Sequence, residues 1–394
     1  MRTRVARGRI GDVVSRVSTW NPNRDGGSEA IRYIDLGSVN NETKLIEGYQ
    51  SVEAAGAPSR ARQLVERGDI VVSTVRPNLN GVARVPDNLG GATASTGFCV
   101  LRPGRGIDGS YLFHWVRSPI FVAEMTRLAT GQSYPAVSDR IIFDSEIPLP
   151  PLDEQRRIAA ILDQADELRR KRREAIKSLD RLGQAKFHEM FGDPLDDPKS
   201  GIEWKTQPLE RDVLFMDYRG KTPLKAERGI RLITARNVRM GFISREPQEF
   251  VDAVSYDKWM TRGFPMKGDV LFTTEAPLGN VAQLDTDEKL VIGQRLLTLK
   301  PNIDLINSVY LEYFLRSSGF RKRMIENSTG STVVGIKSKL LKKISIRYPP
   351  MREQFKFDTF ISNLRVVHQR FRRGAFSADL LFASLQSRAF NGEL

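Results

Sequence analysis

The residue types able to carry chemistry in this 394-residue chain are few, and their spacing speaks against catalysis. Methyl transfer to adenine calls for an Asp/Asn-Pro-Pro-aromatic tetrad beside a glycine-rich cofactor loop, but Pro150-Pro151 is preceded by Leu149 and followed by Leu152. Gly220-Lys221-Thr222 has the form of the end of a phosphate-cradling loop, with Phe215 where that loop's first glycine must stand. The paired carboxylates Asp196-Asp197 fall in a stretch rich in proline and acid, where solvation is the expected state. Cys99 is the only cysteine, which rules out an internal disulfide framework and a cysteine-rich metal site. His114, His188 and His368 lack metal-ligand spacing. No metal, no cofactor and no enzymatic activity are expected of the chain itself.

What the composition favours is contact with a polyanion. Lys and Arg number 61 against 47 Asp and Glu, a net charge of +14 spread along the chain. A folded protein that is basic throughout typically meets DNA or RNA. Base readout needs arginine for guanine O6 and N7 and asparagine or glutamine for adenine N6 and N7, while lysines and backbone amides more often hold phosphates. Polar loops supply such groups twice. In the first half the candidates are Thr74, Arg76, Asn78 and Asn80 in TVRPNLNGV, then Gln132, Ser133, Tyr134 and Arg140. In the second they are Arg219, Lys221, Thr222, Arg236, Asn237, Thr274 in TTEAPLGNV, Ser331, Lys337 and Lys339. The competing reading of each is an ordinary turn or capping residue, and it is favoured for Asn78 and Asn80 beside Pro77 and Gly81.

These loops need elements to hold them. IRYIDLGSVN, GDIVVST and STGFCVLRP read as strands rich in β-branched residues and closed by polar turns. SYLFHWVRSPIFVAEMTRLA has helical apolar spacing, and Pro119 divides it into two helices. The second half repeats the first at an offset of about 200 residues. Gly68-Asp69-Ile70-Val71 matches Gly268-Asp269-Val270-Leu271, Tyr111-Leu112 matches Tyr310-Leu311, and Pro150-Pro151 with Glu154-Gln155 matches Pro349-Pro350 with Glu353-Gln354. Each copy ends in a long stretch of helical pattern. The first runs from Pro150 to Phe191, close to 60 Å as a continuous helix. Ile161, Leu168, Leu179 and Leu182 lie on its four-three seam, with Ile158 and Leu162 beside it. The second runs from Pro349, with Phe360, Leu364, Val367, Phe371, Leu381 and Leu385 on a like seam. The predicted architecture is α/β: two mixed α/β domains separated by two long antiparallel coiled-coil helices, a tandem repeat with an internal pseudo-twofold. The boundaries fall at 1–149, 150–192, 193–349 and 350–394. No apolar run reaches the roughly 18 residues of a membrane span, and MRTRVARGRI has no apolar stretch behind it, so a cytoplasmic location is expected.

The sequence resembles, over its whole length, the specificity (DNA-recognition) subunit of type I restriction-modification enzymes. LPPLDEQRRIAAILDQADELRRKR, KFHEMFGDP, DYRGKTP, the two GD(I/V) strands and QSRAFNGEL carry the resemblance. It implies two target-recognition domains, each reading one half of a bipartite, asymmetric sequence in double-stranded DNA. It also implies two helical regions that set the spacing and dock two methyltransferase subunits, with two restriction subunits joining the larger complex. S-adenosylmethionine and ATP then belong to partner subunits. A coiled-coil scaffold that binds protein partners without reading DNA is the other class of function these features allow.

Overall fold

The computed structural model describes residues 5–218, 223–330 and 333–394. The chain divides into two compact units, Met1–Glu174 with Arg372–Leu394, and Ala175–Phe371. Each long helix contributes one part to each unit.

In the first unit, one four-stranded antiparallel sheet has the order Val14–Ser15, Phe98–Pro103, Ile70–Ser73, Val82–Arg84. A second has the order Gln50–Glu53, Ala30–Ile34, Ala92–Ser95, Ala61–Val65, with one parallel pair between Ala30–Ile34 and Ala92–Ser95. The run Ile70-Val71-Val72 is apolar throughout because both faces of its sheet are covered. Alternate side chains therefore enter different cores. Ile70, Val72, Cys99 and Leu101 pack with helices, whereas Val71, Phe98 and Val100 pack with Ile34, Val65, Ala92 and Ala94 of the other sheet. Pro119 divides the predicted helix as expected. Gly109–Val116 is capped by Asp108 accepting from the Tyr111 amide, and Pro119–Leu128 by Ser118 accepting from Phe121.

The second unit repeats this plan. Val213–Asp217, Leu296–Pro301, Val270–Thr273 and Val281–Gln283 form the first sheet. Ile230–Ile233 pairs in parallel with Leu290–Ile292. Asn307 and Ser317 cap the helices Ser308–Leu315 and Ser318–Glu326. The copies diverge at a sheet edge. In the first unit the fourth strand of the second sheet lies beyond Ala92–Ser95, whereas in the second unit it is Lys225–Ala226 beyond Phe250–Val251.

Leu152–Phe191 and Met351–Phe390 are unbroken helices of 40 residues. They run antiparallel within each unit. In the first, Arg169 and Arg173 pair with Asp379, and the Arg169 guanidinium lies 4.3 Å from the Phe382 ring centroid. In the second, Asp180 pairs with His368 and Phe187 meets Phe357 edge to face.

The predicted seam is corrected at several positions. Leu168, Leu182 and Leu381 are between 42% and 51% exposed, and Val367 and Phe371 are 39% and 38% exposed. Ile161, Leu179, Phe360, Leu364 and Leu385 are half-buried. The fully covered residues are Ile158, Leu162, Phe187, Phe191, Phe357, Ile361, Phe382 and Phe390. A heptad row assumes a partner helix as the only neighbour. Here the domain cores take a broader stripe near each helix end, which rotates burial off the heptad row.

Candidate nucleic-acid interface

In each unit two loops meet at one end of the first sheet. The loop after Ile70–Ser73 begins at Thr74, whose amide and hydroxyl both donate to the Gly97 carbonyl, while its own carbonyl accepts from Val137. The second loop, 130–136, is closed by reciprocal hydrogen bonds between Thr130 and Ala136, with Gly131 at φ +104°. Val75 bridges to Ala136, and the Arg76 amide donates to the Pro135 carbonyl at 2.7 Å. The second unit builds the same frame from other residues. Thr274 donates twice to the Arg295 carbonyl and accepts from Ile336; Thr329 and Gly335 close the second loop; Glu275 bridges to Gly335. The residue before the shared proline has a positive φ in both units, +50° at Arg76 and +44° at Ala276, although the Ala276–Pro277 peptide is cis and the Arg76–Pro77 peptide is not. A left-handed non-glycine residue costs about 1 kcal/mol or more, so the surrounding hydrogen bonds must hold it there.

The side chains on these matched frames differ. In the first unit the exposed Arg76 guanidinium lies 4.6 Å from the centroid of the Tyr134 ring and reaches the Ser133 carbonyl at 3.4 Å. Tyr134 is 69% exposed, and Gln132, Ser133 and Asn78 are exposed beside it in sequence. Arg76 and Tyr134 also line a cavity of about 220 Å³ with Val39, Val75, Leu79 and Phe98. In the second unit the corresponding positions carry Ala276 and Val333, the latter 51% exposed. Arg140 and Lys339 are exposed at matching places in the short helices Asp139–Asp144 and Ser338–Lys343; Arg140 pairs with Asp144 at 3.4 Å. Lys337 is exposed at the start of the latter helix.

Four of the predicted contact residues are corrected. Thr74 and Thr274 are buried with their hydroxyls already bonded, so they build the loops and leave nothing for a ligand. Asn237 is fully buried: its oxygen accepts from Thr234, and its amide donates to the Ser244 and Pro247 carbonyls. Asn80 is half-buried at φ +52°, donating to the Arg117 carbonyl at 3.1 Å. Arg236 is exposed but ion-paired with Glu249, which also holds Lys225. Arg219, Lys221, Thr222 and Ser331 lie outside the described residues. Lys44 was not foreseen. Its ammonium donates to the Asn80 carbonyl beneath the first loop, and burial, with Arg117 nearby, lowers its pKa to about 8. Only the fold brings Lys44 to that loop, so its sequence neighbourhood carried no signal.

The shared sequence motifs turn inward. Gln155 accepts from the Asp108 amide at 2.9 Å and donates to the Pro150 carbonyl at 2.9 Å and to Gly106 at 3.4 Å. Gln354 does the same for Asn307, Pro349 and Leu305. Each glutamine thus ties the start of a long helix to the cap of a domain helix. Asp193 of FGDP accepts from Ser318 Oγ and the Gly319 amide at 2.6 Å each, and from Leu195. Although burial opposes its charge, these donors hold its carboxyl below the ordinary carboxylate range. Further ion pairs lock helix to domain: Arg117 with Asp166 in the first unit, and buried Glu312 with Arg316 and Arg365 in the second. Buried His114 donates from Nε2 to Asp163 at 2.7 Å; burial pushes its pKa down, and the hydrogen bond to Asp163 only partly offsets this.

A family model described as the type I restriction modification DNA specificity domain matches residues 9–178 and 254–365. The chain belongs to this family. Among curated relatives, the type I restriction enzyme MjaVIII specificity subunit of Methanocaldococcus jannaschii is 24% identical over 280 residues, 67% of this chain and 65% of that one. The EcoKI specificity subunit of Escherichia coli K12 is 22% identical over 320 residues, 75% of this chain and 68% of that one. The chain thus spans just under two thirds of the first relative's length. A solved structure described as the structural basis of complex assembly and conformational transition of the type I R-M system is 26% identical, with a TM-score of 0.55. That likeness covers 99% of this chain and 98% of the other. The type I S subunit from M. genitalium, 14% identical with a TM-score of 0.54 over 98% of this chain and 96% of that one, shares the fold. The two family-model segments fall in the two repeats, in keeping with the tandem duplication. Among the described residues, no helix is long and apolar enough to cross a membrane, and no cluster of metal-ligating residues is present.

Proposed function

We propose that the chain is the DNA-recognition and assembly component of a type I restriction-modification complex. Each mixed α/β unit reads one half of a bipartite, asymmetric duplex target. The observation that carries this reading is the duplicated loop frame: buried threonines and matched bridges repeat, while the exposed side chains on the frame differ. A ligand with one common backbone and two different local sequences requires that combination. The two 40-residue helices set the unread spacing between the half-sites. Their exposed apolar residues, among them Leu168, Leu182, Val367, Phe371, Phe376 and Leu380, suit the docking of two methyltransferase subunits. Up to two restriction subunits then join the complex. S-adenosylmethionine and ATP act on those partners, and this chain contributes recognition without catalysis.

The test is a domain exchange. Residues 1–149 are replaced by the equivalent domain of another family member, and methylated adenines are mapped across a genome carrying the reassembled methyltransferase. One half of the methylated sequence should change and the other remain. If both halves change, the assignment of one unit to each half-site is wrong. If the assembled complex shows no sequence preference, the scaffold reading takes its place.

A further inference from the structure

We infer that Arg76, placed over the Tyr134 ring, is the guanine-reading residue of the first half-site, and that Tyr134 is its positioning residue. The inference rests on the recognition function proposed above and goes beyond it, to one residue and one base. Three observations support it. The guanidinium is displayed on the surface with its backbone fixed by the Pro135 carbonyl, the Val75–Ala136 bridge and a left-handed φ. The Tyr134 ring lies 4.6 Å from the guanidinium carbon, a cation–π contact that narrows the positions the fork can take. No ion pair links Arg76 to a carboxylate among the described residues, unlike Arg236 and Arg140. Its donors therefore face outward with only the 3.4 Å contact to Ser133.

Comparison of the repeats separates base reading from phosphate holding. Both half-sites present phosphates, so a phosphate contact belongs at the same place in both units. Arg140 and Lys339, cations at matching positions of matching helices, meet that condition. Arg76 does not, because the same left-handed position carries Ala276 in the second unit. Its aromatic support is likewise replaced, by Val333. Charged fork and supporting ring are lost together, as expected if they act as one device that the second half-site does not need. A fixed, planar fork of N–H donors matches guanine O6 and N7 in the major groove. An alanine with a valine offers only apolar contact, which suits a thymine methyl group.

The experiment uses the full chain assembled with its methyltransferase subunits. Bound duplexes are selected from a randomised pool at two salt concentrations, for wild type, Arg76→Ala, Arg76→Lys and Tyr134→Ala. The wild-type consensus should hold a G·C pair in one half that Arg76→Ala relaxes, with discrimination at that pair falling roughly 5- to 150-fold and every other position unchanged. Arg76→Lys should relax the same pair because it lacks the planar fork, and Tyr134→Ala should relax it partially. A uniform loss of affinity with an unchanged consensus and a shallower salt dependence would make Arg76 a phosphate contact and overturn the inference. A consensus unchanged in all three variants would overturn it too. In either case wild-type selectivity would still stand, so the recognition function survives. A wild-type complex that selects no sequence removes that function and this inference together.

Discussion

Gln155 tests whether the motif that marks both long helices is a fold device or a partner contact. Replacing it with leucine keeps most of its volume and removes three hydrogen bonds to backbone: from the Asp108 amide and to the Pro150 and Gly106 carbonyls. The site is 2% exposed, so water does not readily replace them. A buried amide left without an acceptor costs about 1–3 kcal/mol, and each carbonyl that loses its donor about 1 kcal/mol, the 3.4 Å bond less. The total is about 3 kcal/mol. For a unit of about 200 residues, that lowers the unfolding midpoint by roughly 6–12 °C. Differential scanning calorimetry of the full chain should show the transition of the first unit falling by this amount while the second holds. Gln354→Leu should do the converse, because its oxygen accepts from Asn307 and its amide donates to Leu305 and Pro349 in the second unit. If Gln155→Leu leaves both transitions within about 1 °C and instead abolishes methyltransferase association, the glutamine is a docking residue and the reasoning fails.

Two further outcomes follow from the same packing. Gly183 lies inside the helix, where alanine would ordinarily gain about 1 kcal/mol, but a Cβ there would press first on the hydroxyl of the buried Tyr313 and then on its ring, 3.1 Å from Cζ. Gly183→Ala should therefore destabilise the second unit by about 1–2 kcal/mol, and adding Tyr313→Phe should restore much of the loss in the same calorimetric scan. The stability of the first unit should fall as pH drops below about 6.5, because His114 is held neutral when folded and takes up a proton more readily when unfolded. The groups facing it are Asp163, Asp166 and Arg117. Although burial opposes its charge, the Asp163 carboxyl is held below its ordinary range by the hydrogen bond from His114 and stays ionised across this window. His114→Gln should flatten the pH dependence between pH 7.5 and about 5.5 in urea titrations, and an unchanged slope would mean that His114 does not control it.

The duplication was legible in the sequence because many of the residues that repeat, among them Asp69 and Asp269, Tyr111 and Tyr310, and Gln155 and Gln354, are buried in both copies. Ile70-Val71 and Val270-Leu271 lie in an inner strand of each first sheet, and Tyr111 and Tyr310 donate to the Pro148 and Arg347 carbonyls near the ends of the strands that precede the long helices. Unbroken helical patterning likewise revealed both 40-residue helices. The seam was not legible to the residue, since Ile158 and Phe382 are buried by domain cores that lie far away in sequence. The loops fall where the polar runs placed them, but several of the residues picked from them turn inward. Thr74, Thr274 and Asn237 are polar and loop-borne, yet they bond to backbone carbonyls and amides that only the folded loops bring near. Arg76 and Tyr134 were each singled out; their contact joins segments separated by three strands and two α-helices, and local sequence cannot encode it.

That division explains where variation can be accommodated in such a chain. The motifs by which the family is recognised fasten the long helices to the domains through Gln155, Gln354, Asp193 and the capped helices, all turned away from solvent. Changing any of them leaves buried donors or acceptors unpaired and costs the fold several kcal/mol. The loop tips bear no such burden. Arg76 on one frame and Ala276 on the other both sit at positive φ, beside equivalent threonines and equivalent bridges. A substitution there changes the displayed side chain while the frame remains. On the recognition function proposed above, target specificity changes at loop tips without disturbing the long helices.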